Sequence, residues 1–202
     1  MAKIIQFKVN PVPEKFGPQP ARVKHGKGKE LEKQGQLNLF TGGKVVRLNQ
    51  LSVFEEALML DDQGDKASAR LRYLKAIEEL DSIADAYCNL GILEFKEGQN
   101  TKAIDFFTKC LKEEPRHFEA HYNLANLYAE VGNFALAKVH YGVSIEIQPT
   151  FPNSHFNLGL TLAMNKEFTE AIEALKHYRK LTPKSDHTQV DDLILKLGNT
   201  DR

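Results

Sequence analysis

Apolar and small residues recur along this chain at two spacings at once: three to four residues locally, and 34 residues over longer distances. Leu90, Leu124 and Leu158 stand 34 apart, as do Ala69, Ala103, Ala137 and Ala171, and as do Pro115, Pro149 and Pro183. The phrases Tyr87-Cys88-Asn89-Leu90-Gly91, Tyr122-Asn123-Leu124-Ala125 and Phe156-Asn157-Leu158-Gly159 hold one register. The short spacing is that of an amphipathic helix. The long one means a single supersecondary unit stacked on copies of itself, each copy too small to bury its own apolar face.

Within one period the pattern predicts two helices. In the best-formed copy the first covers about 84–97, with Tyr87, Leu90, Gly91 and Leu93 at helical spacing, and Gly98 permits the left-handed turn that ends it. The second covers about 101–113, with Ala103, Phe107, Cys110 and Leu111 on one face, and Pro115 stops it. Gly91, Ala125 and Gly159 mark one site of close helix approach, faced by Ala103, Ala137 and Ala171. Phe107, Tyr141 and Leu175 are expected to fill the space between neighbouring units. Beyond Pro183, Val190, Leu193, Ile194 and Leu197 predict a last helix over 188–197, with Asp186 as its cap.

The offsets of an aromatic, Leu-Gly, Ala, Phe, Ala and Pro resemble the tetratricopeptide repeat, in four units at 50–83, 84–117, 118–151 and 152–185. The first departs most, with Glu56-Ala57 in place of Leu-Gly and Asp81 in place of the proline. The resemblance implies an all-α, right-handed superhelical solenoid of four helix-turn-helix repeats. Its domains are a basic, Pro/Gly-rich, mostly disordered arm over 1–48, the repeats over 49–185, and a C-terminal capping helix and tail over 186–202. It also implies a concave groove lined by the first helices, and a protein-interaction adaptor or scaffold that holds a peptide or helix there.

Carried onto this sequence, the groove positions of the family are Phe54, Cys88, Tyr122 and Phe156 at one level and Leu58, Ile92, Asn126 and Leu160 at the next. Between them runs a row of amides, Asn89, Asn123 and Asn157. Each amide offers a donor and an acceptor, so the row could hold the backbone of an extended peptide; asparagine could equally support helix packing at this position. The protein-binding set is therefore Phe54, Asn89, Ile92, Tyr122, Asn123, Asn126, Phe156, Asn157 and Leu160. One subtype of the family grips the C-terminal carboxylate of heat-shock chaperones through lysines and an arginine. Cys88, Tyr122 and Phe156 stand where those cations would be expected, and that mode is not anticipated here.

Charge changes the picture at the N-terminus. Residues 1–48 hold ten Lys/Arg against three Asp/Glu, a net +7, and the remainder is −7, so a basic arm is joined to an acidic body. The arm has few interleaved aromatics, so any nucleic-acid contact would be phosphate-led, and nucleic acid is not the expected partner. Within the arm, Gln36-Leu37-Asn38-Leu39-Phe40 resembles the short peptide by which bacterial proteins dock on the replicative sliding clamp. Leu37, Leu39 and Phe40 could instead pack on the chain's own first helix. Recruitment to nucleic acid or a clamp through this arm, and self-assembly into a homo-oligomer, are the alternative functions.

Catalysis and cofactors find no support in the residue pattern. Two cysteines without framework spacing suit a reducing compartment, and the short apolar start before Lys8 is no signal peptide, so a cytoplasmic protein without membrane association is expected. No Walker-type loop or serine elbow is present. His117 and His121 have a zinc-chelating spacing but no evident third ligand, and no metal site is assigned. Cys88 and Cys110 lack a sequence-defined base, although Cys88, at a groove position, could be exposed and reactive.

Overall fold

The computed structural model describes residues 51–183 and 187–199. The basic arm, the Gln36–Phe40 segment and Asp186 lie outside the described residues. Among the described residues are nine α-helices and no strand. They are α1 (Val53–Asp62), α2 (Lys66–Glu78), α3 (Ile83–Lys96), α4 (Asn100–Glu113), α5 (Phe118–Glu130), α6 (Phe134–Ile147), α7 (Pro152–Met164), α8 (Phe168–Leu181) and α9 (His187–Gly198). They fall into two compact units, divided between Ser82 and Ile83.

The first unit is the pair α1–α2. Ser52 opens α1 through a capping box: its hydroxyl accepts from the Glu55 amide at 3.2 Å, and the Glu55 carboxylate accepts from the Ser52 amide at 2.8 Å. Phe54 and Tyr73 pack ring to ring at 5.8 Å in its core. The Asp81 carboxylate accepts the Phe54 amide at 2.8 Å, serving an N-terminal helix donor that has no partner within the helix. Asp81, which breaks the proline period, thus ties the end of this pair to its beginning.

In the second unit the pairs α3–α4, α5–α6 and α7–α8 repeat one design. The second helix of each buries a single stripe: Ala103, Phe107 and Cys110 in α4, Ala137, Tyr141 and Ser144 in α6, Ala171, Ala174 and Leu175 in α8. The first helices are buried almost all round, without interruption from Cys88 to Phe95 in α3, from Tyr122 to Leu127 in α5 and from Gly159 to Ala163 in α7. They form an inner layer, α3 against α5 and α5 against α7, with the second helices outside. Val190, Leu193 and Leu197 of α9 complete the apolar core of the α7–α8 pair.

Close approach within a pair depends on glycine. A Cβ built on Gly91 would lie 2.6 Å from the Phe107 ring, and one on Gly159 would lie 2.7 Å from Leu175 Cγ. The large residues therefore sit over the small ones of their own pair. Phe107 also reaches the next pair, sharing a core with Ala120 and Leu124.

The turn inside each pair sets a backbone requirement at the same 34-residue spacing. Gly64, Gly98 and Gly132 have φ of 84°, 73° and 78°, and the fourth copy places Lys166 there with φ of 63°. A residue with a Cβ is strained in this region, by about 1 kcal/mol or slightly more. Lys166→Gly is accordingly expected to raise stability by about 1 kcal/mol and the thermal midpoint by roughly 2–4 °C. Circular dichroism melting checks it; an unchanged or lower midpoint would show that the turn is not strained.

Candidate functional site

The inner layer of the second unit is unusually polar for a buried surface. Asn89, Asn123, Asn126, Asn157, Ser154, His155 and Thr161 are all buried there. Such groups are costly to remove from water unless bonded, so their partners define what the layer does.

Asn126 and Asn157 form the centre. The Tyr141 hydroxyl donates to Asn126 Oδ1 at 2.5 Å, and Asn157 Nδ2 donates to the same oxygen at 3.0 Å and to the Tyr122 hydroxyl at 3.1 Å. Burial pushes the Tyr141 phenol well above its ordinary value, so it stays protonated and keeps its donor. The network joins α5, α6 and α7. Asn123 turns back on its own helix, donating to the Glu119 carbonyl at 3.0 Å. Asn89 Nδ2 and Asn126 Nδ2 are buried donors with no partner among the described residues.

The structure places the other groove candidates below the surface as well. Phe54, Ile92, Tyr122 and Leu160 are each no more than 9% exposed, and Phe156 is half-buried, packed at 5.0 Å on Tyr178. Tyr122 packs edge-on against Phe151 at 5.1 Å. Phe54 belongs to the first unit; the other eight belong to the second.

One expectation is corrected. Cys88 is buried, not exposed, because α3 is enclosed on all sides and the Cys88 thiol faces Cys110 across the α3–α4 pair. A second feature was missed by sequence reasoning: one ring nitrogen of His117 and the two sulfurs lie within 4.8 Å of one another. His117 is the N-cap of α5, its Nδ1 accepting from the Ala120 amide at 3.2 Å. Asp85 Oδ1 lies 3.1 Å from its Nε2 and Glu119 Oε2 lies 3.3 Å from its Nδ1.

These neighbours set the charges. Burial opposes protonation of His117, while the Asp85 carboxylate and the Cys110 sulfur favour it and push the ring up, against the Nδ1 cap contact, which needs that nitrogen unprotonated. Donation by the Cys88 thiol, with help from His117, brings Cys110 down to about 7 against the effect of burial. That same hydrogen bond, with burial, pushes Cys88 well up. Cys110 is the more acidic thiol of the two.

His121 does not join this cluster. Its Nε2 donates to the Pro115 carbonyl at 3.2 Å, which leaves Nδ1 to accept from His140 Nδ1 at 3.0 Å. Burial depresses both rings, His140 to about 4, so the pair is neutral.

Paired antiparallel helices in register, stacked through a buried inner layer, define a helical repeat solenoid. Family models described as tetratricopeptide repeat match residues 84–117, and residues 106–138 and 140–173. Residues 84–138 and 140–173 of the chain are tetratricopeptide repeats. It is 24% identical over 140 residues to Hsp70-Hsp90 organizing protein 1 of Glycine max, covering 66% of this chain and 24% of that protein. Its fold is similar to that of MamA, with a TM-score of 0.64 at 18% identity over 76% of this chain and 86% of that one. It is also similar to the first such domain of Spaghetti bound to an HSP90 peptide, SRMEEVD, with a TM-score of 0.54 at 19% identity over 58% and 91%. The chain spans between 7% and 24% of the length of the curated relatives it matches. Among the described residues, no helix is long and apolar enough to cross a membrane.

Proposed function

We propose that this protein is a non-catalytic adaptor that holds an extended peptide segment of a partner protein along α3, α5 and α7. The observation that supports this reading is the half-buried Phe156 on α7, an aromatic at the edge of an inner layer otherwise largely buried, in a fold similar to that of the peptide-holding Spaghetti domain. Phe156, half-buried at the edge of the layer, would supply apolar contact with a ligand side chain.

The solved Spaghetti domain, which holds the acidic peptide SRMEEVD, supports a peptide as the ligand class. In the second unit the residues where family members place lysines for such a carboxylate are Cys88, Tyr122 and Phe156, none of them cationic. The ligand is therefore read through its backbone and apolar side chains rather than through a terminal charge.

The test is selection from a random linear peptide library on the full chain, followed by calorimetry. A selected peptide is expected to bind Phe156→Ala at least about tenfold more weakly, the loss of an aromatic anchor. Failure to select any peptide, or equal affinity for wild type and Phe156→Ala, would overturn the reading.

A further inference from the structure

The cluster of Cys88, Cys110 and His117 plays no part in the peptide reading. Cys88 comes from the middle of α3, Cys110 from the last turns of α4, and His117 from the N-cap of α5. Their donor atoms all lie within 4.8 Å of one another and all three residues are buried. We propose that these residues bind one zinc ion, in a site that fastens the α3–α4 pair to the start of α5.

The geometry fits zinc chemistry. Tetrahedral zinc with bonds of about 2.3 Å to sulfur and 2.0–2.1 Å to nitrogen sets its sulfurs roughly 3.8 Å apart and its nitrogen and oxygen donors roughly 3.3 Å apart. The present spread closes onto that figure with side-chain shifts of about 1 Å or less. Each nitrogen of His117 also has its own carboxylate, Asp85 at Nε2 and Glu119 at Nδ1. Metal at either nitrogen replaces the Nδ1 contact with the Ala120 amide, and the other nitrogen then carries the proton and donates to its carboxylate, the arrangement that orients metal-bound histidine. The carboxylate on the metal side is then placed to supply a fourth donor. Asp85, one-third exposed, is the open edge of the cluster and the route of entry.

Binding exchanges the remaining thiol and ring protons at the ligand atoms for the metal and releases them to solvent. Two sulfurs and an imidazole select zinc or cobalt and reject magnesium and calcium, which require oxygen ligands. The site crosses a boundary between repeats. Metal would stiffen the α3–α5 part of the inner layer, a role independent of any peptide held there.

The experiment is a titration of the reduced, metal-free full chain with Co2+ and then Zn2+. The expected result is a sulfur-to-cobalt charge-transfer band saturating at one equivalent, bleached by one equivalent of Zn2+, with a higher thermal midpoint in the zinc form. Cys110→Ser and His117→Ala should each weaken cobalt binding at least tenfold, while His121→Ala should bind as wild type does. Cys110→Ser changes one atom, and its fold is verified by circular dichroism before titration. Absence of the band in wild type would overturn the site, as would a band unchanged in folded Cys110→Ser. Zinc that leaves the wild-type midpoint unmoved would equally overturn it.

Discussion

Gly91→Val is expected to destabilise the protein by about 3 kcal/mol, the upper end for overpacking a filled core. The new Cβ would sit 2.6 and 2.7 Å from two atoms of the Phe107 ring, and Phe107 is fully buried. The ring has no free volume to retreat into, because the same core holds Ile92, Ala103, Ala120 and Leu124. Either α3 and α4 separate or the ring leaves its rotamer, and both loosen contacts with α5. For a chain of this size the thermal midpoint should fall by roughly 6–12 °C. The fourth pair has the same requirement with a smaller partner, a Cβ on Gly159 lying 2.7 Å from Leu175 Cγ. Equal midpoints for Gly91→Val and wild type would mean that close approach of the pair is not what this glycine serves.

The close approach at Gly91 was legible in the sequence because it obeys the 34-residue period, but its partner was not: Phe107, expected between units, lies over Gly91 of its own pair. Also legible were the two helices of the best-formed copy, whose expected limits of about 84–97 and 101–113 fall within a residue of those observed, and the left-handed turn at Gly98. The period is a constraint on backbone geometry, and backbone geometry is what periodic small residues report. The contents of the inner layer were less legible. Position along a first helix indicates that Asn89, Asn123, Asn126 and Asn157 point inward, but not which amide bonds to which neighbour. Asn157 reaches two residues of the preceding repeat, Tyr122 and Asn126, contacts 35 and 31 residues distant in sequence. Cys88, Cys110 and His117 were separated in the sequence reading for the same reason. Cys88 and Cys110 lie on opposite helices of a hairpin, and His117 in the turn after it. Only the antiparallel return of α4 and the start of α5 bring them together. A search for cysteine and histidine pairs 22 and 29 residues apart, rather than at local chelating spacings, would have found them.

Asn126→Leu is the substitution expected to cost most among the polar residues, because it strands two donors at once. Asn126 Oδ1 receives both the Tyr141 hydroxyl and Asn157 Nδ2, and all three residues are buried. Leucine keeps the shape of asparagine but accepts nothing, so each donor loses a bond that water cannot replace. At about 1–3 kcal/mol per unsatisfied group the loss should reach about 2–4 kcal/mol, partly offset by the gain from burying an apolar side chain. Tyr141→Phe in the same background removes one stranded donor and should return about 1 kcal/mol, although Tyr141→Phe alone destabilises by a similar amount. The sign of that second substitution therefore reverses with the residue at position 126, and a double-mutant cycle from denaturant unfolding measures it. Additive effects would show that the Tyr141–Asn126 bond contributes nothing to stability. A reversed sign would place the polar inner layer among the features that hold α5, α6 and α7 together.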